Sequence, residues 1–328
     1  MAHLIEENQI TGKSEIAFVG KKPWHGLGQE LTKNAPIEVW RTEAGLAWEA
    51  QTAPVVYLTP TSNSAAEARE FKGKNVLYRS DTGASLGVVS DRYKPHQPDE
   101  ILQFFDTLVR SAGFSLEVAG AIKGGKRIWA LANTNREACV FGDDVVKGYL
   151  LLSTSFDGTT ATVGQFTSIR VVCNNTLSMA DSENAPSRVS LRHGSNFNAS
   201  MMRNRLGLVV SGFDGMMDKY RYLANANVNS AYVNNFLTKL FPPVVHMDDA
   251  AKTVLVHSRG YGKVMDLFEG KGMGANLAGT RGTKWGLLNA VSQWVDHERG
   301  HNADTRLTNA WFGEGNRLKA EAENILLV

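Results

Sequence analysis

Apolar residues recur at helical spacing in "QPDEILQFFDTLVRSAG" (97–113), where Ile101, Leu102, Phe105, Leu108 and Val109 share one face. Asp99 and Glu100 sit in the first turn and Gly113 follows the last apolar position, so the pattern predicts a helix with both ends marked. Ahead of it, the short apolar runs "VVYLTP", "NVLYRS" and "SLGVVSDRYKP" predict strands of a small sheet, with residues 61 to 70 as a polar excursion between two of them. Behind it, "FSLEVAGAIKGGKRIWALANT" and "GYLLLSTSFDGTTATVGQFTSIRVVC" predict two hairpins. Gly124-Gly125 and Asp157-Gly158 supply turn residues that accept positive φ.

The second hairpin feeds "GQFTSIRVVCNNTLSMA" (164–180), which reads as a strand running into a helix through a polar corner. Asn174, Asn175 and Thr176 are cap residues for such a helix, and its free amides beside Arg170 would suit an anion. Beyond residue 195 the period becomes helical in "SMMRNRLGLVVSGFDGMMDKYRYLAN", "NSAYVNNFLTKLF", "AAKTVLVHSRGYGKVMDLFEG", "TKWGLLNAVSQWVDHER" and "GNRLKAEAENILLV", with Pro242-Pro243 and "EGKGMGANLAGTRG" as breaks. The expected fold is α+β, an antiparallel sheet of hairpins with packed helices. Its parts are an N-terminal, mostly β segment (1–95), an α+β core with a crossing helix (96–225) and a helical C-terminal part (226–328).

Composition narrows the function classes. The 35 basic and 33 acidic side chains nearly cancel, so any basic surface has to be local. Two cysteines, Cys139 and Cys173, make neither a disulfide framework nor a thiolate zinc site, which fits a reducing cytoplasm. No apolar run approaches a membrane span, so a soluble protein is expected.

Candidate chemistry follows the local charge. The first hairpin carries Lys123, Lys126 and Arg127 at its tip, and its second strand alternates Arg127, Trp129 and Leu131 against Ile128, Ala130 and Ala132. One face is thus basic and aromatic, a pattern that tracks phosphates and stacks bases; a soluble tip with Trp129 in the core is the plain alternative. Between Arg188 and Arg221 lies a local excess of four positive charges, including Arg188, Arg192 and Arg203.

Enzyme signatures are sparse. Cys173 lacks a local nucleophile signature and reads as a small buried hydrophobe, and His25 in "PWHGLG" reads as part of a turn packed by Trp24. "KGMGANLAG" lacks the Lys-Ser or Lys-Thr of a phosphate loop. His297 and His301 in "DHERGH" are interrupted by Gly300, so no metal or cofactor is expected.

In this order, "PWHGLG" (23–28), "GGKRIWALA", "SFDGTTATV" running into "TSIRVVCNNTLSMA", and "GTKWGLLNAVSQWVDHERG" resemble the phage/plasmid-like family known as domain of unknown function 932. That resemblance implies a gene of phages, prophages and conjugative plasmids with no settled enzymatic activity. The order of elements also resembles, in architecture alone, Rad-fifty-two-type single-strand annealing proteins, which form rings and hold single-stranded DNA backbone-inward in a basic groove.

The expected function is therefore single-stranded DNA or RNA binding and strand annealing by a homo-oligomer, with a ring as its closed form, in the cytoplasm of a bacterial host. Lys123, Lys126, Arg127, Arg170, Arg188, Arg192 and Arg203 would contact phosphates, and Trp129 would stack bases. The alternatives are a hydrolase or transferase using Cys173 or His25, and a protein-binding factor directed at host defence.

Overall fold

The computed structural model describes residues 7–8, 10–20, 27–60, 66–172, 175–177, 188–210, 212–247, 253–300, 309–311 and 313–328. The strands are β1 (Ile16–Val19), β2 (Gln29–Leu31), β3 (Ala50–Pro60), β4 (Ala66–Arg79), β5 (Ser85–Ser90), β6 (Ser115–Ile122), β7 (Arg127–Cys139), β8 (Val145–Ser155), β9 (Thr162–Arg170), β10 (Asn175–Leu177), β11 (Arg188–Leu191), β12 (Val244–Met247) and β13 (Thr253–Val256). The helices are α1 (Ile37–Glu43), α2 (Pro98–Ala112), α3 (Ala199–Val210), α4 (Phe213–Asn225), α5 (Ser230–Leu240), α6 (Arg259–Asp266), α7 (Lys284–Gln293) and α8 (Glu314–Leu327). Single π-helical turns, Leu267–Lys271 and Trp294–Glu298, continue α6 and α7. The fold is α+β, as expected.

The central sheet has eight strands among the described residues, in the order β10-β9-β8-β7-β6-β1-β2, with β11 sharing the outer edge of β9 with β10. All its pairs are antiparallel except β1 with β2. Alternation along β7 sorts its side chains as the sequence predicts. Ile128, Ala130 and Ala132 join the main core, while Trp129 and Leu131 join a second cluster on the opposite face with Tyr149 and Leu151. Both faces are therefore covered, which is why nearly every residue of β8 is buried.

Helix α2 forms where its period places it, burying Ile101, Leu102, Phe104, Phe105 and Leu108. Gln97 and Glu100 close a reciprocal capping box, and Gly113 ends the helix in the left-handed region at φ 69°. Helix α3 crosses β9 at Gly164, where a Cβ would lie 3.1 Å from the Met202 sulfur and 3.2 Å from a Leu206 methyl. A side chain at this position would press on both and force them to shift.

The N-terminal segment is mostly β but does not stand apart, since β1 and β2 extend the central sheet beside β6. Strands β3, β4 and β5 form a separate three-stranded sheet. Its base docks on the hairpin turns of the central sheet. Arg79 makes a bidentate bond to buried Glu15 (2.6 and 2.9 Å), lies over the Trp48 ring and holds Asp81, and Trp48 packs edge-on against Phe156 at 5.2 Å. Burial works against the Arg79 charge, but Asp81 and Glu15 outweigh it and hold its pKa above the ordinary guanidinium value. From this base β3 and β4 project as a two-stranded arm. Residues 66 to 70, expected in a polar excursion, are the first part of β4.

Two expectations are corrected. Where a helix start was expected, β10 pairs back on β9 with Asn175 opposite Arg170, so Asn175 and Thr176 lie in a strand; Asn174 lies outside the described residues. "TVLV" is strand β13, paired with β12, where a helix was expected; three β-branched or β-favouring side chains in four outweigh the helical spacing around them. Among the described residues no helix is long and apolar enough to cross a membrane.

Candidate nucleic-acid interface

Register brings most of the predicted cations to one end of the central sheet. Arg127 at the start of β7 pairs with Ser155 at the end of β8, Ser153 pairs with Val163 near the start of β9, and Thr162 pairs with Leu191 at the end of β11. The turn 123–126, the turn after β8 and the segment after β11 thus emerge side by side. Three strand spacings of about 4.8 Å put β7 and β11 roughly 14 Å apart. Lys123 and Lys126 stand exposed on the first turn and Arg192 on the last, while Arg203 is exposed on α3 just beyond.

The first turn runs through the left-handed backbone region. Lys123, Gly124 and Gly125 all have positive φ (55°, 67° and 88°), and a Cβ at Gly125 would sit 3.1 Å from both Arg79 and Trp48. The turn favours glycine at both positions, and the docking of the arm's base favours it again at Gly125. Arg127 and Arg188 lie lower, half-buried, lining a small recess with Thr160, Gln165 and Trp311. Arg127 donates to Thr160 Oγ1 at 3.1 Å; burial lowers its pKa, opposed by the Asp157 charge. Burial pushes the Asp157 carboxyl up, but hydrogen bonds from Thr159 and the Arg127 charge prevail and hold it below the ordinary carboxylate range.

Beneath this end lies a buried histidine pair that no motif flagged. His96 Nδ1 is 2.6 Å from Thr162 Oγ1 and its Nε2 is 3.0 Å from the Ser195 carbonyl, while His193 is bonded to Thr154 Oγ1 and the Lys94 carbonyl. The rings lie 4.5 Å apart, and Tyr93 stacks on His193. Burial, then the neighbouring His96, push the His193 pKa down to about 4 against its backbone bonds, and burial lowers His96 as well. The pair ties the segment after β11, which carries Arg192, to the ends of β8 and β9.

Two of the predicted contacts are corrected. Trp129 is 3% exposed and packs edge-on against Trp311 at 4.9 Å, so it is core and no stacking platform. Arg170 is fully buried at the opposite end of β9. It is held by Asp144 through two bonds of 2.7 Å and by Thr280 Oγ1 at 2.8 Å, while Trp285 donates its indole N–H to the same carboxylate at 2.8 Å. It fastens the sheet to α7 and is closed to phosphate. Cys173 and His25 lie outside the described residues.

Sequence reading placed a strand at "VVYLTP" but missed the distal half of β4 and the basic and aromatic groups of the arm. Tyr57 and Phe71 stand about half exposed on it, and Lys72 and Lys74 extend beside Phe71 with no carboxylate partner among the described residues, whereas Arg69 is paired with Glu67. The signal was the length of "EAREFKGKNVLYR", which carries basic and aromatic residues together.

A hairpin sheet braced on one side by crossing helices, with exposed cations on its turns, defines an α+β protein with a basic sheet end. The family described as Domain of unknown function (DUF932) matches residues 85–320, and the chain belongs to it. No curated protein and no solved structure matches the chain.

Proposed function

We propose that the protein binds single-stranded nucleic acid across the basic end of its central sheet and anneals complementary strands. The reading is carried by one observation. Lys123, Lys126, Arg192 and Arg203 are exposed at one end of the sheet with no ion-pair partner among the described residues, in a chain whose total charge is only +2. Cations left unpaired on a near-neutral protein are free to displace the counterions of a phosphate backbone. Arg127 and Arg188 support them from the recess below. Phosphate contact leaves base edges outward for a second strand, and Tyr57 and Phe71 of the arm take the stacking role that Trp129 does not fill.

The arm also supports assembly. Val56 and Leu58 expose 53% and 68% of their surface on one of its faces, an apolar row that a second copy would cover. Joining basic ends in an oligomer makes a continuous track from a short one.

The test is binding of a labelled single-stranded oligonucleotide over a range of salt, with the mass of the assembly measured in parallel. Affinity that falls steeply with salt, without sequence preference and on a multimer, is the expected result. A monomer whose weak binding is indifferent to salt sinks the proposal.

A further inference from the structure

The opposite end of the sheet holds a cleft of about 690 Å³ between the ends of β1, β6, β7 and β8 and the helices α1 and α2. Its polar floor is made by two irregularities of pairing. In β6 the register shifts between Leu116 and Val118, leaving Glu117 as an extra residue, and in β7 it shifts between Asn133 and Glu137, with only Gly148 opposite the three residues between. A bulge re-aims side chains that alternation would send elsewhere, and bulges gather beside functional sites.

The polar groups so gathered lie together. Asn133 donates to Glu117 at 2.9 Å and its Oδ1 accepts the Asn135 backbone N–H at 2.8 Å, while Tyr149, which lines the same cleft opposite Asn133, lies within electrostatic reach of the Glu117 carboxylate. Asn135 sits at φ 57° and Asn34, on the facing wall, at φ 63°; of the non-glycine residues described, only Lys123 shares this conformation. Left-handed backbone away from glycine is held in place by its surroundings and concentrates at binding sites.

The charges of the lining are divided. Asp106 is paired with Arg110 at 2.8 Å, but Lys33 has no ion-pair partner among the described residues, and Lys147 lies 3.7 Å from Glu137. Lys147 is two residues from Tyr149 along β8, about 7 Å. Val19, Ile37 and Val109 supply apolar wall between. A ligand that satisfies this lining offers paired N–H donors to Glu117, a flat apolar body and, some 7 Å or more away, an anionic group. The volume lies within the ~300–1,000 Å³ of drug-sized ligands, too large for an inorganic anion or a lone amino acid.

The geometry points to a mononucleotide site with a preference for guanine, whose adjacent imino and amino hydrogens match a carboxylate in bidentate fashion, while Lys33 and Lys147 take the 5′-phosphate. Adenine presents one donor beside an acceptor at the same edge, and the acceptor would face the carboxylate.

Calorimetric titration of the full chain with GMP, AMP and guanosine tests this. GMP should bind, with AMP about tenfold weaker or more, the loss expected when a charge-assisted hydrogen bond goes unmade. Glu117→Gln should erase the preference. Because Glu117 is bonded into the sheet and its variant risks misfolding, Lys33→Ala provides an independent arm: it should weaken GMP several-fold and leave guanosine and oligonucleotide binding unchanged. No heat with millimolar GMP, or equal affinity for GMP and AMP, overturns the assignment.

Discussion

At one end of the central sheet Lys123, Lys126, Arg192 and Arg203 stand in solvent with no carboxylate partner among the described residues, while at the other Arg170 is fully buried against Asp144. The same residue types have opposite duties because of what the register places around them. A cation on a tight turn has nothing above it but water. Arg170 sits where β10, the 272–283 segment and α7 close over the end of β9, and its charge survives only because Asp144, Thr280 and Trp285 are delivered from distant parts of the chain. Exposed cations are available for a ligand and contribute little to stability; the buried one holds the fold and is closed to any ligand.

The comparison is sharpest in stability. Asp144→Ala leaves a buried guanidinium and an indole N–H without their acceptor, and should cost about 3–5 kcal/mol in chemical denaturation. Trp129→Ala should lose about 3–5 kcal/mol for its cavity, while Trp129→Phe should be far milder, because the indole N–H of Trp129 has no partner among the described residues to lose. The folded fraction of either Trp129 variant should bind oligonucleotide as the parent does. Lost binding in a stable Trp129→Phe protein would restore the stacking role.

The exposed end should answer in the other measurement. Replacing Lys123, Lys126, Arg192 and Arg203 by Ala should change stability by about 0.5 kcal/mol or less for each residue. It should also reduce the log–log salt slope of single-strand binding by about 0.7 for each phosphate that the variant no longer neutralises. Unchanged binding at every salt concentration would make these cations ordinary solvated surface.

What the sequence made legible follows the same division. Features fixed by neighbours in the chain were readable: the period and caps of α2, the positive φ of Gly124 and Gly125, the alternation of β7, and the solvent-facing tip at Lys123 and Lys126. Features fixed by distant partners were not. Arg170 looks like a surface arginine until Asp144 and Trp285 are placed beside it, 26 and 115 residues away, and "CNNT" looks like a helix cap until β10 folds back on β9. The cleft left one trace, the polar run "NTN" at 133–135, which breaks the apolar alternation of β7 where its bulge lies.

The smallest effect in the parent protein separates the two ends by pH. At the basic end His193 has its pKa lowered from 6.5 to about 4, so the fold holds it neutral; the unfolded chain takes up the proton first, and this contribution to stability, full above pH 6.5, is lost as pH falls toward 4. Under α8, burial pushes Glu323 up from 4.5 to about 7 against the charge of Lys219, and it lies within electrostatic reach of Tyr220, which bonds Ser168 near the far end of β9. Here the fold holds the proton, so the contribution is full below pH 4.5 and is lost as pH rises through 7. The two limbs run in opposite directions over nearly the same window, and the parent's stability should be almost level between pH 4.5 and 6.5 as far as these groups set it. Removing one side exposes the other: with both buried histidines replaced (His96→Gln, His193→Gln) stability should fall as pH rises from 4.5 to 7, and in Glu323→Gln it should fall as pH drops from 6.5 to 4. Denaturation midpoints measured across that range decide it. Parallel profiles for both variants would mean that the two buried groups do not oppose each other, and that acid and base loosen the same end of the sheet.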